Sequence, residues 1–235
     1  MNVYIGYDSK NFGQEMAYQV CKRSILNYNG DVKVYPIKLK HLEELGLFTR
    51  PRDPKQATEF TYTRFLVPYL NNYEGRSLFC DSDFLWRCDV LETVNFIDDN
   101  QSVSCVQHSY DKCLSSVKMD GLKQEWYPRK NWSSLMLFNC SHGDCRRLTP
   151  KTVSTETARY LHRLEWADDK NVGSMPSSYN HLVGYYEEGD PKAVHFTDGG
   201  PWHKDYQNVP HADEWLAYLS SSEKARHKNG DFWRI

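Results

Sequence analysis

The chain has 235 residues, 40% of them hydrophobic and 14% aromatic, with a formal net charge of -2. That is enough apolar material for one sizeable core and too little length for two large domains. No Lys/Arg block stands out, which argues against nucleic acid as a partner, and the longest apolar runs fall far short of a membrane span.

The first predicted element is a strand over residues 3–7 (Val3, Tyr4, Ile5, Gly6, Tyr7). From Gly13 to Asn27, Met16, Val20, Cys21, Ser24 and Ile25 recur at helical spacing and predict a helix packed back on that strand. Val32 to Tyr35 reads as a second strand, and His41 to Leu45 as a short helix capped by Gly46. Leu47 to Thr58, with Pro51, Pro54, Arg50, Arg52 and Lys55, reads as a loop. A helix is expected from about Glu59 to Leu70, with Pro68 kinking it or ending it early. Ser77 to Cys80 is a short continuous apolar run, the kind buried on both faces of a parallel sheet, and Val103 to Val106 and Ser134 to Phe138 read as further core strands. A helix is expected over Thr152 to Leu164, a late strand over Ala193 to Phe196, and a last helix over Ala212 to Leu219. The tail from residue 221 to 235 is polar and expected to be mobile, apart from Phe232 and Trp233, which could dock. The alternation of strands and helices implies an α/β layered domain.

The seven Cys are odd in number and contain no C-x-x-C pair. With no signal-peptide core behind Met1, this points to a reducing, cytoplasmic setting. The sequon Asn139-Cys140-Ser141 is read as chance. The aromatic surplus suits a cleft that stacks planar or sugar rings, and equally suits an ordinary core.

The sharpest feature is Leu78-Phe79-Cys80-Asp81-Ser82-Asp83, an apolar strand running straight into two Asp with one residue between them. Residues two apart on a strand point the same way. Paired carboxylates repel unless a positive charge sits between them, and a hard divalent cation that also binds diphosphate oxygens is the usual answer. The end of a strand in an open α/β sheet is also where ligands bind. Phosphatases of the haloacid-dehalogenase type share a D-x-D after a strand, but theirs lies near the chain start with a Thr where this chain has Leu85.

Several segments in order carry a resemblance: Tyr4 to Asp8, Phe60 to Leu70, Leu78 to Phe84, Trp132 to Asn139, and His195-Phe196-Thr197-Asp198-Gly199-Gly200-Pro201-Trp202. Together they resemble the GT-A-fold glycosyltransferases, in particular the family-8-like enzymes related to lipopolysaccharide galactosyltransferases and glycogenin. The resemblance implies a single α/β domain over residues 1–220 with a mixed, mostly parallel central sheet flanked by helices. The nucleotide-binding half would span about 1–100 and the acceptor half about 101–220. It implies that Tyr7 and Asp8 hold the nucleotide base, Arg64 faces the donor, and Asp81, Asp83 and His195 ligate Mn²⁺ or Mg²⁺, with Ser82 between the two Asp. Ser133 and Ser134 would line the donor-sugar and acceptor site. Asp168 or Asp169 would be the carboxylate near the reacting sugar. Gly199 and Gly200 let backbone N–H groups approach phosphate closely.

Two departures from the family pattern matter. A Lys usual before Pro-Trp is Gly200 here, which leaves Lys204 as the cation expected to reach the diphosphate. The usual carboxylate-Gln pair reads Ala167-Asp168-Asp169-Lys170. The resemblance implies transfer from a nucleotide sugar, a UDP-sugar, to a carbohydrate or glycolipid acceptor with retention of configuration. An inverting reaction would need Asp168, Asp169 or Glu165 as general base. The competing readings are a metal-dependent nucleotidyltransferase, whose Gly-rich basic loop is missing from Gly6-Tyr7-Asp8-Ser9-Lys10, and a non-catalytic carbohydrate-binding module. The donor sugar, the acceptor and the linkage would depend on the loops around Gln107–Gln124 and Asp168–Tyr186.

Overall fold

The computed structural model describes residues 1–52, 56–109, 127–187 and 189–233. Parts of the expected loops at 47–58 and 107–124, and Cys113, lie outside the described residues.

Strand β1 (Asn2–Tyr7) is buried along its middle and leads into α1 (Phe12–Tyr28), whose first turn is capped by the Asn11 side chain accepting from Gln14 N–H. β2 (Lys33–Lys38) and the short α2 (Leu39–Glu44) follow. The helix expected over 59–70 is broken. Turns precede a 3-10 turn at Thr63–Leu66, and only Val67–Leu70 is α-helical (α3). Pro68 sits in the first turn of α3, the place where its missing N–H costs nothing, so it starts a helix instead of kinking one.

β3 (Arg76–Cys80), β4 (Phe84–Trp86), β5 (Val103–Val106) and β6 (Leu135–Asn139) come next. The helix expected over 152–164 divides into α4 (Pro150–Thr155) and α5 (Ala158–His162), because Thr157 caps α5 by accepting from Tyr160 N–H. β7 (Val172–Met175), β8 (His181–Leu182) and β9 (Ala193–His195) precede α6 (Ala212–Ala217) and α7 (Ser221–Lys228).

The main sheet has the order β2-β1-β3-β6-β5-β7. β6 runs antiparallel to both neighbours and the other adjacent strands pair in parallel. The fold is therefore α/β with a mixed, mostly parallel sheet flanked by helices. Pro36 and two lysines fall on β2, an edge strand, where a missing donor and exposed charge are tolerated. In the centre, alternate residues feed two cores. Tyr4, Phe79 and Met136 join one cluster, while Val3, Ile5, Leu78 and Leu137 join the other.

A second sheet, β4-β9-β8, sits beside the first. The far side of α1, through Met16, Ala17 and Val20, packs on a third cluster with Phe196, Trp202, Trp215 and Phe232. Phe232 docks as expected, and the polar segment before it is a helix, largely exposed, and not an unstructured tail. α7 carries a capping box at Ser220 and Glu223, Arg23 of α1 pairs with Glu223 at 2.7 Å, and Phe232 is fully buried. Among the described residues no helix is long and apolar enough to cross a membrane.

Candidate active site

β1 and β3 are parallel neighbours, so Asp8 after β1 and Asp81 after β3 emerge at the same edge of the sheet. The backbone N–H of Asp81 donates to the Ser134 carbonyl at 2.9 Å, which fixes the strand end. His195, remote in sequence, is brought in by the small sheet. In the β4–β9 pairing Phe84 stands opposite His195, and Phe196 N–H donates to the Asp83 carbonyl at 3.0 Å. The His195 imidazole stacks on the Phe84 ring at 4.5 Å. Ligand atoms of Asp81, Asp83 and His195 all lie within 4.8 Å of one another.

A buried chain of hydrogen bonds orients His195. The Ser134 hydroxyl donates to the Asn131 carbonyl at 2.7 Å, and the Asn180 amide donates to Ser134 Oγ at 2.9 Å. The Asn180 side-chain oxygen contacts His195 Nδ1 at 2.8 Å. A carbonyl can only accept, so each donor in this chain is determined in turn. Asn180 is left accepting from Nδ1–H, and Nε2 is the ring nitrogen that faces Asp83 Oδ1, 3.3 Å away. An unprotonated Nε2 and a carboxylate oxygen at that distance repel unless a proton or a cation lies between them. Two carboxylates and a neutral imidazole, oriented by an outer hydrogen bond, are a donor set that fits a borderline divalent cation.

Arg64 closes one side. Its guanidinium meets Asp81 Oδ1 at 2.7 Å and donates to the Ser133 carbonyl at 2.9 Å and the Phe60 carbonyl at 3.3 Å. These residues border a cavity of about 500 Å³ whose walls include Asp8, Arg64, Asp81, Asp83, Ser133, Ser134 and His195 from the sequence reading. Burial pushes the Asp8 carboxyl up from its ordinary range, and the Lys10 backbone N–H bonded to it at 3.0 Å opposes that rise.

The remaining sequence candidates stand apart from these walls. Tyr7 packs its ring on Tyr18 at 5.3 Å, and Ser82 is buried. Gly199 takes a left-handed φ of 144°. A Cβ on Gly200 would fall 2.1 Å from Trp202 Cζ3, so the indole occupies the space that a side chain there would need. Lys204 is exposed on a 3-10 turn. Asp168 and Asp169 are exposed and meet Arg147 at 3.6 Å and Arg129 at 2.7 Å, while Glu165 pairs with Arg159 at 2.8 Å. In their stead the cavity walls include Lys10, Arg159, His162 and Arg163, which the sequence reading missed. A lone Lys in a loop and a His on a short helix carry no pattern that would have revealed them.

Solved glycosyltransferases of the GT-A type share the architecture. The bifunctional glycosyltransferase WbbM matches with a TM-score of 0.64 at 15% identity, covering 98% of this chain and 51% of that one. The glycosyltransferase GlyE of Streptococcus pneumoniae TIGR4 matches at 0.60 and 14%, covering 95% and 62%. The galactosyltransferase LgtC, solved with donor and acceptor sugar analogues, matches at 0.57 and 13%, covering 96% and 100%. This chain spans about half the length of WbbM and under two thirds of GlyE. No protein-family model matches the chain. By sequence it is 40% identical over 236 residues to Protein CDI of Arabidopsis thaliana, which covers 97% of this chain and 90% of that protein. The chain belongs to the family of Protein CDI.

Proposed function

We propose that this protein is a glycosyltransferase that takes a sugar from a nucleotide-sugar donor, a UDP-sugar, and passes it to a carbohydrate or glycolipid acceptor. The observation that carries the reading is the Asp81, Asp83 and His195 group in the wall of the cavity, with Arg64 beside it. Mn²⁺ or Mg²⁺ held by those three residues would supply positive charge to the diphosphate as it leaves. Asp8, at the β1 end of the cavity, would hold the base. Arg64 stays fixed by two backbone carbonyls, so its charge is in place before the donor arrives. Lys10, which borders the same cavity, takes the role expected of Lys204. Ser133 and Ser134 border the region of the transferred sugar.

Among the described residues the carboxylates bordering the cavity are Asp8, Asp81 and Asp83, which this reading assigns to base and cation. Asp168, Asp169 and Glu165, the bases an inverting reaction would draw on, are engaged in surface ion pairs. That supports transfer with retention. The six described cysteines are buried free thiols, which supports a reducing, cytoplasmic setting.

The test is a thermal-shift screen of UDP-, GDP- and CMP-sugars, each with and without Mn²⁺, on wild type and Asp83→Ala. A ligand at 100 times its Kd adds about 2.7 kcal/mol. Stabilisation by a uridine nucleotide that needs metal and is lost in the variant is the expected result. A wild type that responds to no nucleotide under either condition removes the reading.

A further inference from the structure

We infer that His162 is a sugar-binding residue, donating or accepting one hydrogen bond through Nε2 to a hydroxyl of the sugar held between the cation site and α5. The inference rests on the nucleotide-sugar reading above and names a contact that reading leaves open. His162 borders the same cavity as Arg64, Asp81 and Ser133. Its ring is held on several sides: Nδ1 meets Ser133 Oγ at 2.8 Å, the Phe65 ring lies edge-on at 5.2 Å, and the Tyr62 ring lies at 6.2 Å. With Nδ1 engaged, Nε2 is the polar atom the ring has left to offer a ligand.

The position is tied to the cation site by a short path. The Ser133 that holds His162 by its hydroxyl also accepts from Arg64 by its carbonyl at 2.9 Å, and Arg64 meets Asp81 at 2.7 Å. A group bound at His162 is therefore registered against the diphosphate end of the donor. The chemistry of the ring selects the ligand. Burial first, and the neighbouring Arg64 guanidinium second, push the imidazole down to about 3, so it is uncharged at neutral pH. A neutral imidazole fixed in one pose suits an uncharged hydroxyl and gives a phosphate no extra charge attraction. A prepaid ring orientation also means that little entropy is lost when the hydroxyl binds.

The hydroxyl belongs either to the transferred sugar or to the acceptor sugar, and calorimetry with Mn²⁺ separates the two. The probes are UDP, then UDP-glucose, UDP-galactose and UDP-xylose, then methyl glucoside and methyl galactoside titrated into the UDP complex. The variants are His162→Phe, which keeps the ring packing, and Ser133→Ala, which frees the imidazole without removing it. On the donor side, the gain in affinity of the preferred UDP-sugar over UDP falls about tenfold in His162→Phe, while affinity for UDP itself stays within about twofold. On the acceptor side, the donor gain is kept and methyl glycoside binding weakens by about the same factor. Ser133→Ala reproduces a smaller part of either loss and carries the test if His162→Phe does not fold. Unchanged binding of both sugar classes in variants that bind UDP normally overturns the role of His162. A wild type that fails to bind UDP overturns the transferase reading itself, and so the two failures are told apart.

Discussion

Replacing Asn180 with Leu cuts the hydrogen-bonded path that runs from His195 through Ser134 to Asn131, and the consequence can be worked from distances. Asn180 is fully buried. Its amide spans Ser134 Oγ at 2.9 Å and His195 Nδ1 at 2.8 Å. Leu has nearly the same volume and neither bond. His195 Nδ1–H loses its acceptor and Ser134 loses a donor, both at buried bonds. Stranding a buried partner costs about 1 to 3 kcal/mol, so the pair costs about 2 to 6 kcal/mol of stability, read as a lower urea midpoint.

A second effect is separate. Without the Nδ1 bond the proton is free to move to Nε2, which removes the lone pair from the cation site. Loss of such an outer partner weakens metal binding about 10- to 100-fold, measured by Mn²⁺ calorimetry. Asn180→Asp, which keeps an acceptor for Nδ1–H, retains most of the Mn²⁺ affinity. If the Leu variant were destabilised as expected yet bound Mn²⁺ like wild type, the orientation argument for His195 would be refuted.

Arg64→Met removes the counter-charge at Asp81 and the side-chain donor to the Ser133 carbonyl, while the Phe60 carbonyl keeps its bond from the residue-64 backbone N–H. The expected loss is about 3 to 5 kcal/mol in urea unfolding, partly recovered by Mn²⁺, and equal losses with and without the metal would argue against a cation at Asp81. Phe232→Ala opens a cavity against Phe12, Trp215 and His227 and costs about 3 to 5 kcal/mol; an unchanged Tm would mean that the C-terminal segment is not docked. Arg23 holds the Glu223 carboxyl down to about 2, against an ordinary value of 4.5. Because the folded value is the lower one, this stabilisation is complete above the ordinary value and is lost as pH falls toward the folded one. The pair is open enough to solvent that about 1 kcal/mol is at stake. Glu223→Gln therefore flattens the urea midpoint across that acid window, and parallel curves for the two proteins would contradict the pairing.

What could be read from the sequence follows the strength of the local pattern. β1, β3, β5 and β6 are continuous apolar runs, and each forms where it is expected. The D-x-D was legible because strand and carboxylates are contiguous, and His195 because it ends a strand before a Gly-rich turn. β4 and β8, with three and two residues, are too short for any periodicity to show. The expected helices around Pro68 and Thr157 failed because a single capping or ring-bearing residue outweighs the apolar spacing on either side.

The orienting chain from Asn131 through Ser134 and Asn180 to His195 joins three separate segments, so no local pattern encodes it. Asp168 and Asp169 were chosen by position along the chain, which says nothing about the direction of a side chain. Arg147 and Arg129 hold them at the surface. Lys204 was chosen for its nearness in sequence to Gly200, whereas Lys10, a cation that borders the cavity, comes from the other end of the chain, just after β1.

The most direct measurement of the central claim is release of nucleoside diphosphate from a panel of UDP-, GDP- and CMP-sugars by the purified protein, with water as acceptor and Mn²⁺ or Mg²⁺ supplied or chelated. The account predicts slow release of UDP from a UDP-sugar that requires the metal and is abolished in Asp83→Ala. Release that persists with the metal chelated, or that survives the loss of Asp83, would contradict the cation site, and no release or binding of any nucleotide sugar would contradict the transferase itself.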